Sequence, residues 1–181
     1  STAKTIRVFD NHTVGYYGAC FSNDGEWLGT AAFDNTVKLW DLRTGRNIPS
    51  LRGHTGRVTS VVFHPDARRV ISASVDHTLR VWNITTGRSE QTLTGHSNSV
   101  SSLAVSKTGK FAVSGSADKT VGVWDLSGPS PAKFLKGHTG EVVSVAVSPD
   151  EQLIASASTD GTVRIWNVQQ GKAILTIPDP S

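Results

Sequence analysis

Hydrophobic and polar positions alternate along this chain with a period of two over short runs, the signature of strands rather than helices. Between His54 and Gly95, Val58, Ser60 and Val62 alternate with Thr59, Val61 and Phe63, so that apolar residues fall on both sides. Such a strand is suited to burial between two sheets. His64-Pro65-Asp66-Ala67-Arg68 reads as a turn and Val70 to Val75 as a second strand. Asp76-His77 then makes a tight hairpin into a third strand, Thr78 to Asn83, whose bulk is carried by Leu79, Val81 and Trp82. Thr85-Thr86-Gly87-Arg88 turns the chain into a more polar fourth strand ending at Leu93. The pattern predicts a four-stranded antiparallel meander.

This meander recurs. Trp40, Trp82, Trp124 and Trp166 are spaced 42 residues apart, as are Asp34, Asp76, Asp118 and Asp160, and His12, His54, His96 and His138. No insertion or deletion breaks the register, although loops ordinarily tolerate changes of length. A single meander cannot cover its own two faces, so consecutive units must stack on one another.

The segments FDNTVKLWDL, VDHTLRVWNI, ADKTVGVWDL and TDGTVRIWNV, each following a Gly-His pair or its variant, resemble the units of WD-repeat β-propellers. The resemblance covers essentially the whole chain. Departures are local: Asn11 replaces the first Gly, two units end Trp-Asn instead of Trp-Asp, and Ser127-Gly128-Pro129-Ser130-Pro131 reshapes one turn. The resemblance implies an all-β propeller with four four-stranded antiparallel blades per chain, at residues 14–51, 52–93, 94–135 and 136–177. Residues 1–13 are expected to form an N-terminal outer, closing strand, and 178–181 a tail.

Each unit holds a His, a Ser or Thr, and an Asp, the ingredients of nucleophilic acyl transfer. The sets are His12, Thr30 and Asp34; His54, Ser72 and Asp76; His96, Ser114 and Asp118; and His138, Ser156 and Asp160. A catalytic triad is needed once, beside a cleft, whereas here it is built four times at a fixed distance from a Trp. In the resembled family these residues, with Trp40, Trp82, Trp124 and Trp166, form a structural hydrogen-bond relay. The need is physical, because a buried indole N–H without an acceptor costs about 1–3 kcal/mol. No catalytic residue is therefore expected, and the chain reads as non-enzymatic. The histidines fall one per unit, with neither an i,i+4 pair nor an HExxH spacing, so neither a metal nor a cofactor is expected.

The family resemblance also places a partner surface at the top of the ring, near the start of each innermost strand and just before the hairpin Asp. It implies Gly15, Tyr17 and Phe33 in the first unit; Arg57, Thr59 and Val75 in the second; Ser99, Ser101 and Ala117 in the third; and Glu141, Val143 and Thr159 in the fourth. Tyr17, Phe33 and Arg57 stand out, since aromatics and Arg dominate interface hot spots. The plain alternative is that Tyr17 and Phe33 pack on each other at a blade edge.

Composition narrows the field. The chain of 181 residues carries 18 Lys and Arg against 15 Asp and Glu, a net charge of +3. Arg43, Arg46, Arg68, Arg69, Arg88 and Lys110 fall at separate turns rather than along one stripe, so no nucleic-acid partner is expected. One cysteine, Cys20, rules out an intrachain disulfide. It stands where other units have Val62, Ala104 and Ala146, as a small apolar residue rather than a nucleophile. Asn11-His12-Thr13 and Asn83-Ile84-Thr85 match glycosylation sequons by chance. With neither a signal peptide nor a long apolar run, the expectation is a soluble, cytoplasmic protein without a membrane partner.

Propellers carry roughly four to eight blades, and the resembled family typically closes with seven or eight. An open half-ring would leave apolar faces bare. The expectation is a homodimer that closes an eight-bladed ring, with an N-terminal strand clasping the partner's last blade. Pro178 and Pro180 mark the C-terminal outer strand, Ala173 to Ile177, as the one displaced. A piece of a longer propeller and a self-contained four-bladed ring are the competitors. Two functions are compatible with this pattern: a self-assembling scaffold that binds peptides or protein domains at the ring top, and an engineered or fragment-derived assembly module whose only partner is itself. Strict spacing and the absence of Met favour the second.

Overall fold

Short runs rich in Val, Ile, Ser and Thr, punctuated every few residues by Asp, Asn, Gly and Pro, form strands because branched side chains pack well on a pleated surface. The structure, a computed structural model, describes residues 15–128 and 130–178. The strands are β1 (Tyr16–Phe21), β2 (Trp27–Ala32), β3 (Val37–Asp41), β4 (Val58–Phe63), β5 (Arg69–Ser74), β6 (Leu79–Asn83), β7 (Ser89–Leu93) and β8 (Val100–Val105). They continue as β9 (Phe111–Ser116), β10 (Thr120–Asp125), β11 (Lys133–Lys136), β12 (Val142–Val147), β13 (Leu153–Ser158), β14 (Thr162–Asn167) and β15 (Lys172–Pro178). All pairings are antiparallel meanders: β4 to β7, β8 to β11 and β12 to β15 form four-stranded sheets. In the first blade β1 to β3 make a three-stranded sheet, and residues 47–51 add a fourth run through the isolated bridges Trp40↔Asn47 and Val37↔Leu51.

The expected displacement of the C-terminal strand is not found. β15 pairs with β14 along its length, from Asn167↔Lys172 to Thr162↔Pro178. Pro178 sits at the strand end on the sheet edge, where a missing N–H breaks no ladder bond. The N-terminal closing strand, His12, Asn11, Pro129 and Pro180 lie outside the described residues.

Consecutive blades share cores. Val58, Val61 and Phe63 of β4 pack on Ala31, Val37, Leu39 and Leu51 of the first blade. Val100 and Leu103 cover Ile71, Ala73, Leu79 and Val81 of the second, and Val142 and Val145 cover Val113, Val121 and Leu135 of the third. Trp82, Trp124 and Trp166 each point back into the core shared with the preceding blade. The second, third and fourth blades thus turn a Trp face backward, and the first, second and third turn an aliphatic face forward onto the next blade.

Each innermost strand carries an irregularity at one place: the register jumps Tyr16/Gly18, Val58/Ser60, Val100/Ser102 and Val142/Ser144. The skipped residues are Tyr17, Thr59, Ser101 and Val143. A bulge re-aims the side chain it displaces, and here Tyr17 and Val143 are exposed while Thr59 and Ser101 are half-buried.

Candidate functional site

Two constellations were predicted, a buried relay and an exposed rim. In the second blade His54 Nδ1 lies 2.8 Å from Asp76 Oδ2, His54 Nε2 lies 2.8 Å from Ser72 Oγ, and Trp82 Nε1–H donates to Ser72 Oγ at 2.8 Å. The third blade repeats this with His96, Asp118, Ser114 and Trp124 at 2.7 Å throughout, and the fourth with His138, Asp160, Ser156 and Trp166 at 2.8 Å. In the first blade Trp40 Nε1–H donates to Thr30 Oγ1 at 3.2 Å, and Thr36 Oγ1 donates to Asp34 Oδ1 at 2.6 Å.

The direction of the proton chain follows from the ends. Trp Nε1 can only donate and an ionised carboxylate can only accept, so the serine O–H donates to His Nε2 and His Nδ1–H donates to Asp. Burial pushes the Asp76 carboxyl up, but the Thr78 hydroxyl, the Thr55 N–H and His54 outweigh it and hold it at about 2. Asp118 and Asp160 are lowered by the equivalent donors against the same burial. Burial keeps His54 and His96 below the ordinary imidazole value, against the pull of their carboxylates. At neutral pH the relays of the second and third blades are therefore neutral at His and charged at Asp. Ser72 and Ser114 are fully buried and already engaged on both sides, with no path for a substrate to reach Oγ.

Sequence reasoning missed three layers of this network. Thr78, Thr120 and Thr162 each donate to the second oxygen of the hairpin Asp, and the N–H groups of Thr55, Ser97 and Thr139 reach the first. Their constant offset from Asp in every unit was the available signal. The third layer caps the indole. Arg80 lies over Trp82 at 5.7 Å, and its guanidinium and Trp82 leave no room for a side chain at Gly53. In the third blade Gly122 replaces that Arg, and Phe134, directly across the ladder from Gly122, packs edge-on to Trp124 at 5.6 Å. A Cβ at Gly95 would meet Phe134 at 2.7 Å. Two different side chains from adjacent strands thus fill one place, and the Gly of each Gly-His pair exists to admit them.

On the rim, Tyr17 and Phe33 stack with centroids 4.4 Å apart and 16° between planes. Arg57, reaching over from the second blade, sits 4.9 Å above the Phe33 ring and donates from Nη1 to the Tyr17 hydroxyl at 3.2 Å. The three residues singled out from sequence therefore form one exposed cluster across a blade junction. Thr59 is drawn away from the rim, its hydroxyl bonded to the carbonyls of Val100 and Ala73. Val75 and Ser99 are half-buried, while Glu141 and Thr159 are exposed on the last blade, where Thr159 Oγ1 accepts from Glu141 N–H.

Cys20 packs partly buried against the first shared core, and burial pushes its thiol up to about 12. Arg43 and Arg69 are paired with Asp41 and Asp66, and the Asn83 side chain accepts from Thr85 and Thr86 within its turn. Among the described residues no three His, Cys, Asp or Glu side chains converge as for a metal ion, and no helix is long and apolar enough to cross a membrane.

Known proteins match the chain in parts. Pre-mRNA-processing factor 19 homolog 2 of Arabidopsis thaliana is 40% identical over 52 residues, which is 29% of this chain and 10% of that protein. Pre-mRNA-processing factor 19 of Oryza sativa subsp. japonica is 43% identical over 47 residues, 26% of this chain and 9% of that protein. The Notchless protein homolog of Arabidopsis thaliana is 47% identical over 36 residues, 20% of this chain and 8% of that protein. These matches span about a tenth of each relative's length. The sequence pattern described as WD domain, G-beta repeat matches residues 3–41, 45–83, 87–125 and 129–167, nearly the whole chain, and the chain belongs to this WD-repeat family.

Proposed function

We propose that the chain is a non-enzymatic protein-interaction scaffold, an arc of four blades that a second copy completes to an eight-bladed ring. The observation that carries this is the forward face of the last blade. Val37, Leu79 and Val121 are fully enclosed by the next blade, but Val163, at the same place in the repeat, is 37% exposed. Leu51 and Leu135 are likewise enclosed, while Ile177 is 45% exposed and Leu175 beside it 53%. At the other end of the arc Ala19 and Phe21 stand at the places of Val61 and Phe63, which cover a forward face inside the chain, and both are exposed. Ala19 and Phe21 at one end and Val163, Leu175 and Ile177 at the other are thus the uncovered parts of one repeated contact, although Trp40, at the place of Trp82, is buried. Twofold pairing makes that contact twice. Because β15 holds its place in the sheet, this closure packs face on face and needs no strand exchange. The relay holds each blade rigid, blades 14–51, 52–93, 94–135 and 136–177 act as the repeating bodies, and the rim displays the variable residues.

Light scattering is the test. The expected mass is twice the 19.3 kDa of one chain, falling to one chain for Ile177→Asp with Phe21→Asp. A parent chain that stays at one mass over the micromolar range overturns the closure.

A further inference from the structure

We infer that the Tyr17–Phe33–Arg57 cluster is a docking site for an acidic segment of a partner polypeptide, in which an Asp or Glu carboxylate lies against Arg57 and an adjacent apolar side chain lies on the Tyr17–Phe33 stack. The inference rests on the scaffold reading above and names the chemistry of its partner.

Comparison of the three junctions separates recognition from architecture. The places of Tyr17, Phe33 and Arg57 are held at the next junction by Thr59, Val75 and Ser99, and at the third by Ser101, Ala117 and Glu141. Those junctions close without an aromatic pair or a cation. They use small staples, Thr59 Oγ1 donating to Val100 O at 2.6 Å and Val145 N donating to Ser102 Oγ at 3.2 Å. Stacking of blades therefore does not require the cluster.

The cluster is preset for a carboxylate. The bulge at the start of β1 turns Tyr17 outward, and the Arg57 backbone is held by Val75 N–H donating to Arg57 O at 2.9 Å. Phe33 supports one face of the guanidinium at 4.9 Å, and Nη1 is tied to the Tyr17 oxygen. Arg57 has no carboxylate within ion-pair distance among the described residues, which leaves its other N–H donors and the Tyr17 O–H on one exposed patch. A planar guanidinium pairs with a carboxylate through two N–H donors, and holding it flat beforehand reduces the ordering cost. Tyr17 and Phe33 are 46% and 39% exposed, an aromatic surface wide enough for one apolar side chain. A single cation matches a singly charged carboxylate, whereas phosphorylated segments are held by clusters of Arg. The equivalent place on the last blade is Glu141, so an acidic segment is attracted to one junction and repelled from another.

The experiment is fluorescence anisotropy on the full chain with short labelled peptides that carry a central Phe-Glu, Phe-Gln, Phe-Lys or Phe-phosphoserine pair and blocked ends. Phe-Glu is expected to bind at least about tenfold more tightly than Phe-Gln or Phe-Lys. Arg57→Ala should abolish that preference and Tyr17→Phe weaken it about threefold, while Glu141→Gln leaves it unchanged. Equal binding of Phe-Glu and Phe-Gln, no binding of any peptide to the folded chain, or a marked preference for phosphoserine overturns the inference. Light scattering on the same samples keeps the two proposals apart. A dimer that does not discriminate fails only the docking site, and a monomer that discriminates fails only the closure.

Discussion

Val121 and Val163 occupy the same place in consecutive blades, in the same strand and opposite small residues of the neighbouring strand. One is fully enclosed and the other is more than one-third exposed. The difference lies entirely in what stands in front of the blade. In a stacked array burial is a property of the interface between units, so nearly identical local sequences contribute very differently to stability. The same holds within one blade: the fourth blade's Trp face is as enclosed as any other, with Trp166 only 1% exposed, because the third blade covers it. What differs is the face, not the blade.

The strongest way to break this comparison is a charge at matched places. Leu79→Asp, in the core between the second and third blades, should cost upwards of about 4 kcal/mol and erase the cooperative urea transition. Val163→Asp at low protein concentration should shift the transition by less than about 1 kcal/mol. Equal losses would show that the forward face of the last blade is already covered.

Next in size are the relay carboxylates. Asp76→Ala strands the His54 N–H, the Thr78 hydroxyl and the Thr55 N–H, and is expected to lower stability by about 2–4 kcal/mol in thermal melts. Asp160→Ala should cost the same within about 0.5 kcal/mol, because its network lies on the enclosed face. A much smaller loss at Asp160 would mean that the whole last blade is loose rather than one face of it.

The Trp cap sharpens the comparison between the second and third blades. A Cβ at Gly122 would come within 2.7 Å of Ser114 Oγ and of Trp124 Nε1, and the space above the indole is held by Phe134. Gly122→Arg should destabilise by about 1–3 kcal/mol, and Phe134→Thr added to it should recover the part of the loss that comes from the occupied space above the indole, giving the arrangement of Arg80 and Thr92. A double variant no better than the single one would show that the two caps are not equivalent.

Acid should reveal the same network more gently. His54 and His96 titrate below their ordinary value of 6.5 in the folded chain, so their neutral forms support the fold above that pH and the support declines as the unfolded chain takes up protons below it. Asp76 is held at about 2 against an ordinary 3.8, so its contribution is present above pH 4 and is lost as the pH falls toward 2. Melting temperature should decline in two stages, and Asp76→Ala should flatten the second. The smallest effect concerns the hairpins, where Asn35, His77 and Lys119 adopt positive φ and the fourth unit has Gly161. His77→Gly should raise stability by a few tenths of a kcal/mol, the relief of left-handed strain slightly exceeding the entropy cost.

Much of this was legible in the chain. The 42-residue step located every strand of the second blade to within a residue or two, because a two-residue apolar period bounded by Asp, Gly and Pro leaves few alternatives. The His, Ser and Asp that hydrogen-bond with Trp in the second, third and fourth blades are residues that repeat around Trp in the sequence, whereas His12 lies outside the described residues. The threonine donors were missed because Thr is common in strands and its hydroxyl has a role only when a carboxylate faces it. The exchange of Arg80 for Phe134 was hidden because the two residues lie on different strands, and only the pairing Gly122↔Phe134 brings them to one place. Pro178, which the sequence marks for displacement of the last strand in a dimer, lies at the end of β15 and pairs with Thr162 within the single chain, since a proline at the end of an edge strand removes no bond.

Sequence alone determined the period, the strand pattern and the identity of the buried network, since these depend on local alternation and on residue types that recur. Tertiary structure decided which apolar faces are covered, how the Tyr17, Phe33 and Arg57 side chains meet across two blades, and which of the expected rim residues are consumed by staples. Those outcomes depend on the approach of one blade to the next. Burial and side-chain contact between units are set by stacking geometry, to which a repeating sequence contributes the same residues whether or not a neighbour is there.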